Sequence, residues 1–94
     1  MEDDKDNRVY IKKYGLLKYC EKHEINNLKV IDLDSTNIDE EGVKFICTKS
    51  FPVLEILNLT NNNIGKLGII YIINSCSDFR CLKHLYLANN VTFR

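Results

Sequence analysis

The sequence predicts an α/β fold: a short right-handed solenoid with a three-stranded parallel sheet on its concave side and helices on its convex side. Three observations predict it. One apolar pattern occurs three times in the same phase, glycines recur at intervals of 27 and 26 residues, and each glycine leads into an apolar helical run. A unit of this length holds one strand, one helix and two loops, and it buries its apolar side only against neighbouring units.

The central copy of the pattern spans residues 54–64, where three leucines, an asparagine and an isoleucine are spaced by three, two, three and two positions. In a strand alternate side chains point to one side, so the leucines face inward. The asparagine falls where the strand ends, and its amide can bond backbone groups that the curving chain leaves unpaired. The copies are Leu54, Leu57, Leu59, Asn62 and Ile64; Leu28, Ile31, Leu33, Thr36 and Ile38; and Leu82, Leu85, Leu87 and Asn90. Thr36 replaces the asparagine, and because a hydroxyl satisfies only part of these groups, a less rigid turn is expected there.

An isoleucine precedes each repeat glycine by four residues, as Ile38 precedes Gly42 and Ile64 precedes Gly68. This pairing, in a repeat of about 28 residues, resembles the ribonuclease-inhibitor-like class of leucine-rich repeats. The resemblance covers roughly residues 11–90. It implies the solenoid fold and a protein-binding role, and it does not identify a partner.

In chain order, the acidic residues 1–7 are expected to be a disordered tail. Residues 8–27 are expected to form an N-terminal helix that caps the sheet, because apolar residues recur there at spacings of three and four. Its predicted buried face is Tyr10, Tyr14, Leu17 and Cys20, with Ile11 and Leu16 beside them. Residues 28–53 and 54–81 are two repeats and residues 82–94 a partial one.

The helices of the repeats begin differently. Asp39, Glu40 and Glu41 are interpreted as charges that favour a helix start, and not as catalytic acids or a cation site. The run from Gly68 to Ile73 is apolar enough for a strand, but the repeat phase favours a helix with one side covered by something else.

The last strand, residues 82–87, has no helix behind it in this sequence. Three explanations stay open: the chain is a piece of a longer array, two copies associate through the uncapped last repeat, or residues 91–94 fold back as a cap.

Composition excludes several classes of function. Acidic and basic residues are equal in number, at 13 each, so there is no overall attraction to nucleic acid or membrane, and neither is expected as a partner. The charged opening is unlike a signal peptide and no apolar stretch is long enough to span a bilayer, so a cytoplasmic protein is expected. The four cysteines lack paired zinc-site spacing and most are interpreted as packed thiols, with Cys76 and Cys81 close enough for a redox role. The two N-x-T triplets, at Asn58 and Asn90, are interpreted as coincidence within the repeat pattern.

The sequence shows no grouping that points to catalysis. His23 and His84 stand without a recognisable serine or cysteine partner, and neither a phosphate-binding loop nor a metal spacing appears. We therefore expect a protein that is not an enzyme and that needs no cofactor.

Binding is expected on the concave face, where outward residues of successive strands form rows. The predicted rows are Val30, Ile56 and His84; Asp32, Asn58 and Tyr86; and Asp34, Thr60 and Ala88. The predicted site is Val30, Asp32, Asp34, Ile56, Asn58, Thr60, His84 and Tyr86. An aromatic and aliphatic patch beside carboxylates suits a basic or apolar protein segment and disfavours nucleic acid. An ordinary mixed surface without a ligand is the alternative, and Lys29, Glu55 and Lys83 are expected to pair among themselves.

The first functional hypothesis is a protein-interaction module that binds through this face and the adjoining loops. A second is the regulatory part of a GTPase-activating protein, for which Arg8, Arg80 and Arg94 are the arginines available. A third is a structural or assembly role in the cytoskeleton, like the repeat domain of tropomodulins, which this sequence resembles only at the level of the repeat.

Overall fold

The computed structural model describes residues 4–49, 51–75 and 79–91. Its elements, in chain order, are α1 (Asp4–Tyr14), α2 (Leu16–Lys22), β1 (Val30–Asp32), α3 (Glu40–Cys47), β2 (Ile56–Asn58), α4 (Gly65–Ser75) and β3 (His84–Tyr86). The strands form one parallel sheet in the order β1-β2-β3. Parallel neighbours need a crossover connection, which α3 provides between β1 and β2 and α4 between β2 and β3. The predicted three-stranded parallel sheet with intervening helices is confirmed.

The leucines of the repeat pattern form the core between the sheet and the helices. In the central repeat Leu54, Leu57 and Leu59 are fully buried. Their equivalents in the last repeat, Leu82, Leu85 and Leu87, are only partly buried. The central strand has a neighbouring strand on both sides, whereas β3 has one.

Two of the repeat glycines allow close approach inside a helix. A Cβ on Gly42 would lie 2.9 Å from Cγ2 of Ile38. A Cβ on Gly68 would overlap Cγ2 of Ile64 and lie 3.4 Å from Cα of Glu40, on the neighbouring helix. The close neighbours are the isoleucine four residues earlier and, for Gly68, the neighbouring helix α3, so both positions favour a residue without a Cβ.

Gly68→Ala is therefore expected to lower the free energy of unfolding by about 1–3 kcal/mol, because the added methyl group forces Ile64 or α3 to shift. Urea denaturation followed by circular dichroism measures the loss. Asn74→Ala, on an exposed position of the same helix, is the control and should change stability little. Equal stability of the two variants would show that the contact between Gly68 and Ile64 is not tight.

The N-terminal region differs from the single capping helix that the sequence predicts. Gly15, at φ +96°, separates α1 from α2, and its N–H donates to the carbonyl of Ile11 at 2.7 Å. The helical spacing restarts after this break, so the predicted buried face is wrong at Tyr14 and Leu17, which are 52% and 60% exposed, whereas Tyr10 and Cys20 are partly buried against the core. Among the described side chains of α1 and α2, those buried are Ile11, Leu16 and Tyr19.

The predicted disordered tail also differs, because α1 already begins at Asp4. Burial of Ile11 and an ion pair from Arg8 to β1 anchor this helix to the sheet, which composition alone could not show. Residues 1–3 of that tail, Cys76 and residues 92–94 lie outside the described residues, and so do the expectations that rest on them.

The apolar run after Gly68 is helical, as the repeat phase predicts. Ile72 is buried, whereas Leu67, Ile70 and Ile73 are exposed on the outer side of α4. Within the described residues nothing provides the cover that the sequence led us to expect for that side. No helix in the described part of the chain is long and apolar enough to cross a membrane.

Candidate functional site

The outward side chains of the three strands, and the residues that follow them, form a continuous surface that we call the strand face. The strand register places Val30, Ile56 and His84 in one row, and Asp32, Asn58 and Tyr86 in the next. A third row is set by backbone hydrogen bonds beyond the strands, where the N–H of Ser35 donates to Thr60 and that of Asn61 to Ala88. All predicted site residues share this face: Val30, Asp32, Asp34, Ile56, Asn58, Thr60, His84 and Tyr86.

The strand face carries an exposed aromatic and aliphatic patch. Val30 and Tyr86 are 49% and 48% exposed, and Ile56 lies half-buried in the row between Val30 and His84. The rings of His84 and Tyr86 are nearly parallel, with centroids 6.1 Å apart and an interplanar angle of 10°. Aromatic side chains that are already ordered by their neighbours lose little freedom on binding, which favours this patch as a contact surface.

The carboxylates beside this patch are engaged within the chain. Arg8 Nη1 donates to Asp32 Oδ2 at 2.6 Å, and the other oxygen of Asp32 accepts from the N–H of Asp34 at 3.0 Å. Asp34 Oδ1 in turn accepts from the hydroxyl of Ser35 at 2.6 Å and from the Asn61 amide at 3.3 Å. This differs from the sequence-based expectation that both acids are open to a partner. The contact of Arg8 with Asp32 joins positions 24 residues apart, and its only signal in the sequence is a lone arginine in the helix expected to cap the sheet.

The row of alternating charge at the start of the strands pairs with itself. Lys83 Nζ lies 3.7 Å from Glu55 Oε1. Backbone hydrogen bonds from Glu55 to Lys29 and from Lys83 to Glu55 hold the three residues in one row. The predicted self-pairing is confirmed for Glu55 and Lys83, and an exposed pair of this kind adds little to stability.

Asparagine side chains close the turns that follow the strands. The Asn62 amide donates to the carbonyls of Leu33 at 2.8 Å and Leu59 at 2.9 Å. Its Oδ1 accepts from the N–H groups of Thr36 at 3.0 Å and Ile38 at 2.9 Å. Asn62 therefore completes its own turn and that of the preceding repeat.

Thr36, the departure from the pattern, fills only one of these roles. Its hydroxyl donates to the carbonyl of Leu33 at 2.6 Å. Asn90 repeats these contacts one repeat later, since its amide donates to Leu59 at 2.7 Å and Leu87 at 3.1 Å and its Oδ1 accepts from the N–H of Ile64 at 3.3 Å. The predicted role of the asparagine is confirmed, and Asn62 bonds the turn that contains Thr36 as Asn90 bonds the turn that contains Asn62.

A second row of polar side chains borders the strand face at these turns. Ser35, Asn61 and Asn89 have φ values of 58°, 57° and 59°, so each repeat places a residue in the left-handed region at the same point. The amide of Asn89 donates to Oδ1 of Asn61 at 2.8 Å. This row is not among the residues predicted from the sequence. Asparagine tolerates the left-handed conformation, and its recurrence immediately before Asn62 and Asn90 was the signal.

The remaining polar candidates have structural roles. Asp39 caps α3 by accepting from the N–H of Gly42 at 2.9 Å, and Glu40 pairs with Lys44 at 3.1 Å. This confirms that the acidic run is a helix start. His23 stacks on Tyr19 with ring centroids 4.3 Å apart. No three histidine, cysteine, aspartate or glutamate side chains in the described parts of the chain are arranged to hold a metal ion.

The structure gives the exposure of three cysteines and of one sequon asparagine. Cys20 and Cys47 are partly buried, as expected for most of the cysteines, whereas Cys81 is exposed. Burial raises the pKa of the Cys20 thiol, although the positive charge of Lys49 opposes this. Asn90 is buried, so the second N-x-T triplet offers no accessible acceptor amide.

Comparison with known proteins supports the repeat assignment. The family model described as Leucine Rich repeat matches residues 24–47 and 52–72. No curated protein and no solved structure matches the chain. The first matched segment contains β1 and α3, and the second contains β2 and the first two turns of α4. Each of the two strand-and-helix units of the fold is thus similar to a leucine-rich repeat, and the matched segments, of 24 and 21 residues, together cover 45 of the 94 residues.

Proposed function

We propose that the chain is a protein-interaction module that binds a protein partner through the strand face and its adjoining loops, without catalysing a reaction. Leucine-rich repeat domains generally mediate protein–protein interaction. The observation that carries the proposal is the exposed patch of Val30, Ile56, His84 and Tyr86 in two adjacent rows. Aromatic anchors of this kind contribute much of the energy in protein interfaces.

The scaffold behind the patch favours this role. Side chains on strands are held more firmly than those on loops, and here Asn62 and Asn90 tie the ends of neighbouring strands together. A partner therefore meets a surface that is already ordered, which lowers the entropy cost of binding.

The finer assignment is part of the same proposal. We propose that the repeats are of the ribonuclease-inhibitor-like class and curve as a right-handed solenoid, which makes the strand face concave. The close packing of Gly42 on Ile38 and of Gly68 on Ile64 supports this. A cytoplasmic location is also proposed, and cysteines outside disulfides, such as Cys20 and Cys81, support it.

The test is affinity capture from a cell extract with quantitative mass spectrometry, comparing two tyrosine variants. Tyr86→Ala removes the anchor of the strand face, and Tyr71→Ala removes a similarly exposed ring on the helical side. Loss of one central anchor is expected to reduce capture of the specific partner about tenfold or more, whereas Tyr71→Ala should leave it nearly unchanged. If Tyr86→Ala still captures the partner and Tyr71→Ala does not, the binding site lies on the helical side, which contradicts the proposal.

A further inference from the structure

We propose that Arg8 occupies the position of a basic side chain of the partner, so that the bound segment presents an arginine or lysine to Asp32 and displaces Arg8. The inference rests on the proposed function and names the chemistry of its partner. It differs from the sequence-based expectation of an open acidic patch, because the acid already has an intramolecular ligand.

The geometry of Asp32 suits a basic ligand. Among the residues of β1, β2 and β3, Asp32 has the only carboxylate. The N–H of Asp34 fixes its Oδ1 at 3.0 Å, and Oδ2 accepts from Arg8 Nη1 at 2.6 Å. One oxygen is thus held by the backbone and the other is directed at a cation, an arrangement that suits any guanidinium or ammonium group reaching this row.

Arg8 can leave Asp32 without disturbing the core. The side chains of Arg8 and Asp32 are 31% and 26% exposed, so water reaches both charges and their separation is not costly. The apolar anchor of α1 is Ile11, one turn further along the helix and buried. Displacement of Arg8 therefore leaves that anchor in place.

Aromatic and aliphatic side chains lie in the row of Asp32 and in the adjacent row. The row of Asp32 continues through Asn58 to Tyr86, and the adjacent row contains Val30 and Ile56. Two strand spacings separate Asp32 from Tyr86, about 10 Å. An extended peptide advances about 3.3 Å per residue, so a segment crossing the strands would place its basic residue and an apolar or aromatic residue about three positions apart.

The test is selection from a displayed library of random dodecapeptides on the intact chain, with affinities of the selected peptides measured by calorimetry. Peptides that bind the strand face are expected to be enriched in arginine or lysine three positions from an apolar residue, and Asp32→Asn should abolish that enrichment. Arg8→Gln should bind these peptides about two- to fivefold more tightly, because it removes a competing partial ion pair. Lys12→Gln, which removes the same charge from an exposed position of α1, is the matched control. It should bind these peptides with unchanged affinity.

The outcomes separate the two proposals. If peptide binding requires Tyr86 but shows no basic preference, or if Asp32→Asn keeps that preference, the role of Arg8 is refuted while the strand face remains the site. Equal gains in Arg8→Gln and Lys12→Gln would mean a general charge effect and also refute it. If selection yields no peptide, or only peptides that bind Tyr86→Ala unchanged, the strand face is not the site and both proposals fail.

Discussion

Leu57→Ala is expected to lower the free energy of unfolding by about 3–5 kcal/mol, enough to leave much of the chain unfolded near physiological temperature. Leu57 is fully buried in the central strand, with Leu85 and Ile31 as its register neighbours. Removal of its side chain loses the transfer free energy of the buried methyl groups and leaves a cavity that packed neighbours on both sides cannot fill. Urea denaturation monitored by circular dichroism gives the value.

Leu85→Ala is the matched control, because Leu85 occupies the same position one strand later and is only partly buried. Its loss should be clearly smaller, about 1–2 kcal/mol, since less area returns to water and the site can collapse. Equal losses would show that the outer side of β3 is covered in solution as completely as that of β2.

Asn62→Ala has the second large expected effect: it should lower the free energy of unfolding by about 2–4 kcal/mol. The substitution leaves the N–H groups of Thr36 and Ile38 and the carbonyl of Leu33 without the partner that Asn62 provides. A buried group left unpaired costs about 1–3 kcal/mol, and partial access of water to this turn reduces the sum. Thermal unfolding should show a correspondingly lower midpoint.

Asn63→Ala is the control for Asn62, because Asn63 is exposed in the same turn. Its backbone N–H donates to Ile38 at 2.8 Å, a bond that alanine keeps. Similar midpoints for both variants would mean that water replaces the Asn62 side chain without loss and that the turns do not depend on it.

The strand register and its rows could be predicted because each depends on short-range regularity. A strand alternates with a period of two, and the repeat phase aligns equivalent positions, so Leu57 had to face inward and Asn58 outward. Helix α4 was predicted for the same reason, although its apolar run of isoleucines fits a strand equally well.

What the sequence did not reveal depends on a single backbone angle or on distant contacts. The left-handed conformation of Gly15 shifts the helical phase, and counting positions across it assigned Tyr14 and Leu17 to the core. The contact of Arg8 with Asp32 joins an N-terminal helix to the first strand. No local sequence pattern indicates the conformation of Gly15 or the partner of Arg8. For this reason the carboxylates of the strand face were predicted to be open to a partner.

The sharing of Asn62 between two turns has a consequence for synthesis on the ribosome. The N–H groups of Thr36 and Ile38 lie 26 and 24 positions before the side chain that accepts from them. A nascent chain that has exposed β1 and its turn still lacks that acceptor until the second unit has left the exit tunnel. The turn of the first unit therefore completes its hydrogen bonds only after the second unit has emerged. A translational pause between the two units would prolong a state in which the N–H groups of Thr36 and Ile38 lack this acceptor.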